Sequence, residues 1–344
     1  MKTDIGSILK FIVRAGAMWL LPMSILIGLY VIFDPMLVLR WHEDMMPEGF
    51  LPNKGNVTVK NFEHYNPEKH YDSFLVGSSI TINLWIEEWK KYLPEDAVPY
   101  HFDTSRMTIE DTADVLDYIV ENSDVKNILI VLPPAIMLWR PFVLVPYILP
   151  PEIKSSSTSK FDSHYTLYNY WFKLHTLYGV LLTRLFKEEP AGKEFAAFSK
   201  DINYYDPIIN EEIASEKNKL LDTYSSDFIL SDPNWKYGLD GGDIHFIEPQ
   251  IDDSQKIVYN RIFRALEKNG INYNIIMVPQ RNRGQINPAD DAFLKTLFGD
   301  KYINLSYDQI YLSRNPYLWY DFIHYRPNAG RELLERIYNY NADE

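Results

Sequence analysis

The run Asn127-Ile128-Leu129-Ile130-Val131-Leu132, halted by Pro133-Pro134, constrains the fold more than any other stretch of the chain. Both of its alternating faces are apolar, which suits a strand buried between two layers of helices and not a half-exposed edge. Two further runs are of the same kind, residues 74–76 stopping at Gly77 and residues 274–278 stopping at Pro279. Helical spacing lies between and around them. Residues 82–92 follow the first strand; residues 109–122 carry Ile109, Ala113, Val115, Leu116, Ile119 and Val120; residues 255–268 carry Ile257, Val258, Ile262, Phe263 and Leu266 and end at Asn269-Gly270. Residues 329–340 form a last amphipathic helix with Leu333, Leu334 and Ile337 on one side. Shorter strands are expected at residues 97–102 and 301–305. Strands alternating with helices in this way build a parallel sheet covered on its faces by helices.

A second run points to a membrane. Residues 15–33 are apolar except for Ser24, with Trp19 and Tyr30 toward the two ends, and are long enough to span a bilayer. Lys2, Lys10 and Arg14 precede the run; Asp34, Glu43 and Asp44 follow it with Arg40. The positive-inside rule therefore places the N-terminus in the cytoplasm and the rest of the chain outside, in the periplasm or at the cell exterior. A cleaved signal peptide is the competing reading. The long apolar core, with no A-x-A-like site before Asp34-Pro35, favours an uncleaved single-pass anchor.

The chain thus divides into a cytoplasmic stub and anchor at residues 1–34, an extended lead-in at 35–70 and a main domain at 71–344. An irregular insertion occupies about residues 136–254 of that domain. The insertion holds the proline-rich aromatic patch from Trp139 to Pro151, the low-complexity Ser155-Ser156-Ser157-Thr158-Ser159, and a broad apolar face at Tyr170, Trp171, Leu174, Leu177, Tyr178, Leu181 and Leu182. That face reads as core or lid packing. A net charge of −13 with no basic run argues against nucleic acid. The absence of cysteine leaves neither disulfides nor thiolate metal sites. The histidines, such as His64, His70, His101 and His245, show no paired ligand spacing, so a metal-dependent hydrolase is a poor reading and no cofactor is expected.

Chemistry concentrates at two places. At Gly77-Ser78-Ser79-Ile80-Thr81 a strand ends, the chain turns and a helix begins. Glycine permits the sharp bend, and a helix start offers unpaired N–H groups, so Ser79 sits beside anion donors. The plain alternative is that Ser78, Ser79 and Thr81 cap a helix. Far along the chain, Trp319-Tyr320-Asp321-Phe322-Ile323-His324 precedes the closing helix. Asp321, three residues before His324, can hold one imidazole nitrogen and leave the other to act as base; a surface turn with an incidental histidine is the alternative. In a doubly wound parallel sheet the loops after the strands gather at one edge, which brings Ser79 and His324 within reach of each other.

Gly77-Ser78-Ser79, together with Asp321-x-x-His324 followed by Pro327 and Ala329-Gly330, resembles the SGNH (GDSL-like) hydrolase superfamily. The anchor, the acidic domain and the Gly-Ser-Ser motif look more like its acyl-transfer branch, which includes DltD-type D-alanyl-transfer proteins and the alginate O-acetylation proteins. The match covers residues 70–135 and 255–344. The resemblance implies a flavodoxin-like three-layer α/β/α SGNH-type domain with a parallel sheet, beside the N-terminal transmembrane helix and the large insertion. It also implies a triad of Ser79, His324 and Asp321. In the family's second block the turn here reads Ser105-Arg106-Met107-Thr108, so the N–H of Arg106 would join that of Ser79 at the oxyanion. Leu132-Pro133-Pro134 stands where ordinary GDSL esterases carry Gly-x-Asn-Asp, and acyl-transfer relatives depart there too.

The expectation is a membrane-anchored, extracytoplasmic serine O-acyltransferase or esterase acting on a cell-surface polysaccharide or polymer. The resemblance supplies a membrane-bound O-acyltransferase as partner. The alternative is a non-catalytic subunit that binds the membrane acyltransferase or guides its polymer, for which the aromatic insertion is a suitable surface.

Overall fold

The computed structural model describes residues 5–34, 37–43, 54–104, 107–134, 153, 204–213, 245–280, 284–307, 315, 318–320 and 324–339. Helix α1, Ile5–Phe33, opens the chain and is long and apolar enough to cross a membrane. Large apolar side chains such as Phe11, Met18, Trp19 and Leu21 stand exposed around it, so nothing in the described protein buries them. At its end Asp34, with φ +39°, turns its carboxylate onto the N–H groups of Val38, Leu39 and Arg40, at 2.9–3.1 Å. Arg40 in turn donates to the carbonyls of Val31 and Ile32, two of the acceptors a helix C-terminus leaves unpaired.

Helix α2 is Lys54–Lys69, where an extended lead-in was expected. Its Val59 and Phe62 enter the main core, with Phe62 against Phe74, Tyr100 and Phe102. The sequence conceals this helix because four of its inward residues, Lys54, Asn56, Thr58 and Asn61, are polar yet buried. Beyond it come β1 (Ser73–Gly77), a 3₁₀ turn (Ser79–Thr81), α3 (Ile86–Lys90), β2 (Pro99–Asp103), α4 (Ile109–Asn122) and β3 (Asn127–Leu132). Strands β4 (Tyr204–Asp206) and β5 (Glu211–Ile213) follow, then β6 (His245–Phe246), α5 (Asp253–Lys268), β7 (Asn272–Met277), β8 (Gly284–Gln285), α6 (Pro288–Phe298), β9 (Tyr302–Asn304) and α7 (Pro327–Asn339).

The central sheet has five strands in the order β2-β1-β3-β7-β9, every pair parallel. Counted along the sheet this is the 2-1-3-4-5 order of flavodoxin-like doubly wound sheets. Two cores result from the alternation of side chains along the strands. Phe74, Val76, Ile128, Ile130, Ile275 and Met277 face α2, α4, α5 and α6, whereas Leu75, Leu129, Val131, Ile276 and Ile303 face α3 and α7. Strand β3 is buried at all six positions, in line with its unbroken apolar sequence.

Local chemistry fixes the ends of the helices. Thr108 and Asp111 form a reciprocal capping box on α4, and Asp252 and Gln255 form another on α5. Helix α6 starts with Pro288 behind an Asn287 cap whose side chain accepts from the Ala289 N–H. The helix expected at residues 82–92 is shorter, because the chain first makes the 3₁₀ turn and α3 begins only at Ile86.

The β4–β5 hairpin of the insertion covers the outer edge of β2. The His101 N–H donates to the Ile209 carbonyl at 3.1 Å, and the Asn210 amide donates to the His101 carbonyl at 2.6 Å. An exposed parallel edge would otherwise offer unpaired backbone to other chains. The aromatic patch at 139–151, the serine run, the apolar face at 170–182 and the loop at 234–242 lie outside the described residues.

Candidate active site

Strand β1 carries the chain to the C-terminal edge of the sheet, beside β2 and β3. There Gly77 has no room for a side chain: a Cβ would sit 2.5 Å from Thr81 Cγ2 and 3.0 Å from the Val131 carbonyl oxygen. Ser78 is extended, with φ −89° and ψ −170°, and Ser79 opens the 3₁₀ turn. The first residue of a helical turn has no intrahelical acceptor for its N–H. Ser79 is half-buried while its neighbours Ser78, Ile80 and Thr81 are buried, so the turn presents one hydroxyl outward.

The partner arrives from the far end of the chain. The Ser79 Oγ lies 2.9 Å from His324 Nε2, across 245 residues of sequence. The loop carrying His324 is gripped on both sides. Tyr320 N–H donates to the His324 carbonyl at 2.8 Å, Arg326 N–H donates to the Leu318 carbonyl at 2.7 Å, and Trp319 and Tyr325 form an antiparallel bridge. The Asn83 side chain donates to the Tyr325 carbonyl at 2.7 Å, which ties this loop directly to the segment after the Ser79 turn. Gly330, in the first turn of α7, packs on the Asn83 backbone so closely that a Cβ would come 2.0 Å from its carbonyl oxygen. The tight turn that carries Ser79 depends on glycine at 77, and the approach of the two halves on glycine at 330.

A buried polar layer supports the turn from below. Thr81 Oγ1 donates to the Ser78 carbonyl at 2.8 Å, and His101 Nε2 lies 2.8 Å from the same hydroxyl. Burial first, then the Lys54 charge, pushes His101 down to about 3, so its ring is neutral at ordinary pH. Next to it Lys54 reaches Glu212 Oε1 at 2.5 Å and Asp103 Oδ1 at 3.4 Å, all three groups buried. Burial opposes the Lys54 charge, but the two carboxylates outweigh it and hold the ammonium above the ordinary lysine range. Burial pushes the Asp103 carboxyl up despite Lys54. Asn210, held at φ +57°, closes this layer by donating to Thr58 Oγ1 at 2.9 Å and Asp103 Oδ1 at 3.0 Å. Glu211 accepts the Ile86 N–H at 2.6 Å, and burial pushes its carboxyl up to about 7.

The structure thus brings together Ser79 and His324. Asp321 and Arg106 lie outside the described residues. Sequence reasoning met Thr81 only as a helix cap and His101 only as a histidine without ligand spacing, and did not single out Asn83; their place in the site is recognisable only by what they touch. Among the described residues no cluster of histidines and carboxylates is arranged to hold a metal ion. No protein-family description and no curated protein sequence matches the chain.

Proposed function

We propose that this protein is a serine-dependent acyl-transfer enzyme of SGNH type, anchored in a membrane by α1, with its main domain outside the cytoplasm. The observation that carries the reading is the 2.9 Å contact between Ser79 Oγ and His324 Nε2 at the C-terminal edge of a parallel sheet. A half-exposed serine at hydrogen-bond distance from a histidine is the geometry that a nucleophile and its base require.

In the proposed reaction His324 Nε2 takes the Ser79 proton as Oγ attacks the acyl carbonyl carbon. The negative charge passes to the carbonyl oxygen, which the N–H groups of Ser79 and Arg106 receive, each donor contributing about 3 kcal/mol in serine hydrolases. Asp321 orients the imidazole and stabilises its charged form. Collapse of the intermediate breaks the bond to the donor oxygen, which leaves with the proton from His324. A hydroxyl of the acceptor, or water, then gives its proton to His324 and attacks the acyl-serine, and Ser79 recovers its proton as it leaves. The acyl group is acetyl or another small one. The acceptor is a cell-surface polysaccharide or other polymer, and a membrane-bound O-acyltransferase is the partner that would supply the acyl group.

The test uses the full chain in detergent micelles with p-nitrophenyl acetate as donor. Mass spectrometry is expected to find an acetyl group on the peptide containing Ser79, absent in Ser79→Ala and strongly reduced in His324→Ala. An adduct that persists in Ser79→Ala removes the mechanism. Full polymer acylation in cells carrying either variant would leave the non-catalytic, polymer-guiding reading in its place.

A further inference from the structure

The donor hydrogen of the Thr81 hydroxyl has two possible acceptors, and the surroundings decide between them. Thr81 Oγ1 lies 2.8 Å from the Ser78 carbonyl oxygen and 2.8 Å from His101 Nε2. His101 Nδ1 is buried and has no hydrogen-bond partner among the described residues. If Thr81 donated to Nε2, the neutral ring would carry its proton on Nδ1 and bury an orphaned N–H, the costlier kind of unsatisfied group. With the proton on Nε2, only a lone pair is left unpaired. His101 Nε2–H then donates to Thr81, and Thr81 donates to the Ser78 carbonyl.

That carbonyl belongs to the peptide whose nitrogen is the Ser79 N–H. An amide whose oxygen accepts hydrogen bonds becomes a stronger donor at its nitrogen, and successive bonds in a buried chain reinforce one another. The Ser78 carbonyl accepts twice, from Thr81 Oγ1 and, at 2.9 Å, from the Thr81 N–H. Its plane, and hence the aim of the Ser79 N–H, is fixed by these two bonds. His101 is itself immobilised by the insertion, through its N–H to Ile209 and its carbonyl to Asn210.

We propose that Thr81 and His101 are positioning residues that orient and polarise the Ser78–Ser79 peptide as an oxyanion donor. The β4–β5 hairpin of the insertion holds His101 in place for that purpose. The proposal rests on the reading of Ser79 as nucleophile, and it gives the insertion a part in the site.

Two substitutions separate shape from hydrogen bonding. Thr81→Val keeps the methyl group that fills the space above Gly77 and loses the hydroxyl; Thr81→Ser does the reverse. His101→Gln keeps a donor near the Nε2 position. In full-length protein with p-nitrophenyl acetate, Thr81→Val is expected to lower kcat about threefold to tenfold with KM unchanged. Thr81→Ser and His101→Gln are expected to stay within about twofold of wild type. Nuclear magnetic resonance of selectively labelled protein carrying Ser79→Ala reads the relay without any catalysis. The residue-79 amide proton is expected to move upfield on Thr81→Val and not on Thr81→Ser, and the His101 nitrogens are expected to report the Nε2–H tautomer. An unmoved amide proton, an Nδ1–H tautomer, or a Thr81→Val enzyme with wild-type kcat overturns the relay. If wild type forms no acyl-Ser79 at all, the functional reading on which the relay rests falls, while the resonance data still decide its geometry.

Discussion

Single residues in this protein do work that their identity alone does not announce. Gly330 is the clearest case. Its missing side chain admits the Asn83 carbonyl, so Gly330→Ala has to push α7 away from the segment that follows Ser79. Overpacking of this kind costs about 1–3 kcal/mol. We expect Gly330→Ala to remain folded with a lowered melting temperature and to form far less acyl-Ser79, as thermal denaturation and adduct mass spectrometry on the same sample would check. Glu211 gives a prediction in pH. Its carboxyl is raised from an ordinary 4.5 to about 7 in the folded protein, chiefly by burial. The folded state therefore holds this proton more tightly than the unfolded chain. The resulting stability is fully present below about pH 4.5 and is lost as pH rises through about 7. Glu211→Gln keeps an acceptor for the Ile86 N–H and is expected to flatten that part of the melting-temperature profile. An unchanged slope in the variant would assign the pH dependence elsewhere.

At the scale of elements, legibility follows the range of the interactions. Residues 109–122 are helical as expected, because an amphipathic repeat and the Thr108–Asp111 capping box are both local. Strand β3 matches its apolar run, and the strand expected at 274–278 is β7, Asn272–Met277. Helix α2 was not legible. Its buried Lys54, Thr58 and Asn61 make sense only against Glu212, Asn210 and Tyr205, which lie far along the chain in the hairpin that covers them. The same pairing predicts an energetic signature. Replacing Lys54 with methionine leaves two buried carboxylates without their cation, and removing one partner of a buried ion pair typically costs about 3–5 kcal/mol. We expect Lys54→Met to unfold at markedly lower denaturant than wild type. Adding Glu212→Gln to Lys54→Met is expected to recover part of the loss, and additive losses would show that the ion pair does not tie the hairpin to α2.

For the whole molecule the question is how the apolar N-terminal helix and the main domain are joined. Trp41 Nε1 donates to Asn61 at 3.0 Å, and its ring stacks on His64 with centroids 3.6 Å apart, so the segment after α1 is docked on α2. Asn61 then donates to the Tyr205 hydroxyl at 2.6 Å, which links the segment after α1, the first core helix and the insertion in one layer. If α1 crosses a membrane, as proposed, these contacts hold the main domain close to the bilayer. The proposed orientation has a direct check. Protease added to intact spheroplasts is expected to digest the domain after α1, and protection of that domain would invert the topology.

The sequence by itself determined the parallel α/β character, the apolar N-terminal helix and the two segments that hold Ser79 and His324. Each of these rests on apolar runs, helical spacing or glycine and proline stops, which act between residues close in the chain. Only the tertiary structure decided that Ser79 and His324 meet at 2.9 Å, since that contact needs the strand order and the bare backbones of Gly77 and Gly330. It also decided the fate of the polar residues. Lys54 reads as part of the lead-in, His101 as part of a strand and Thr81 as a cap, and their shared burial is not visible there, because a buried hydrogen-bond network is specified by its partners and leaves no period in the sequence.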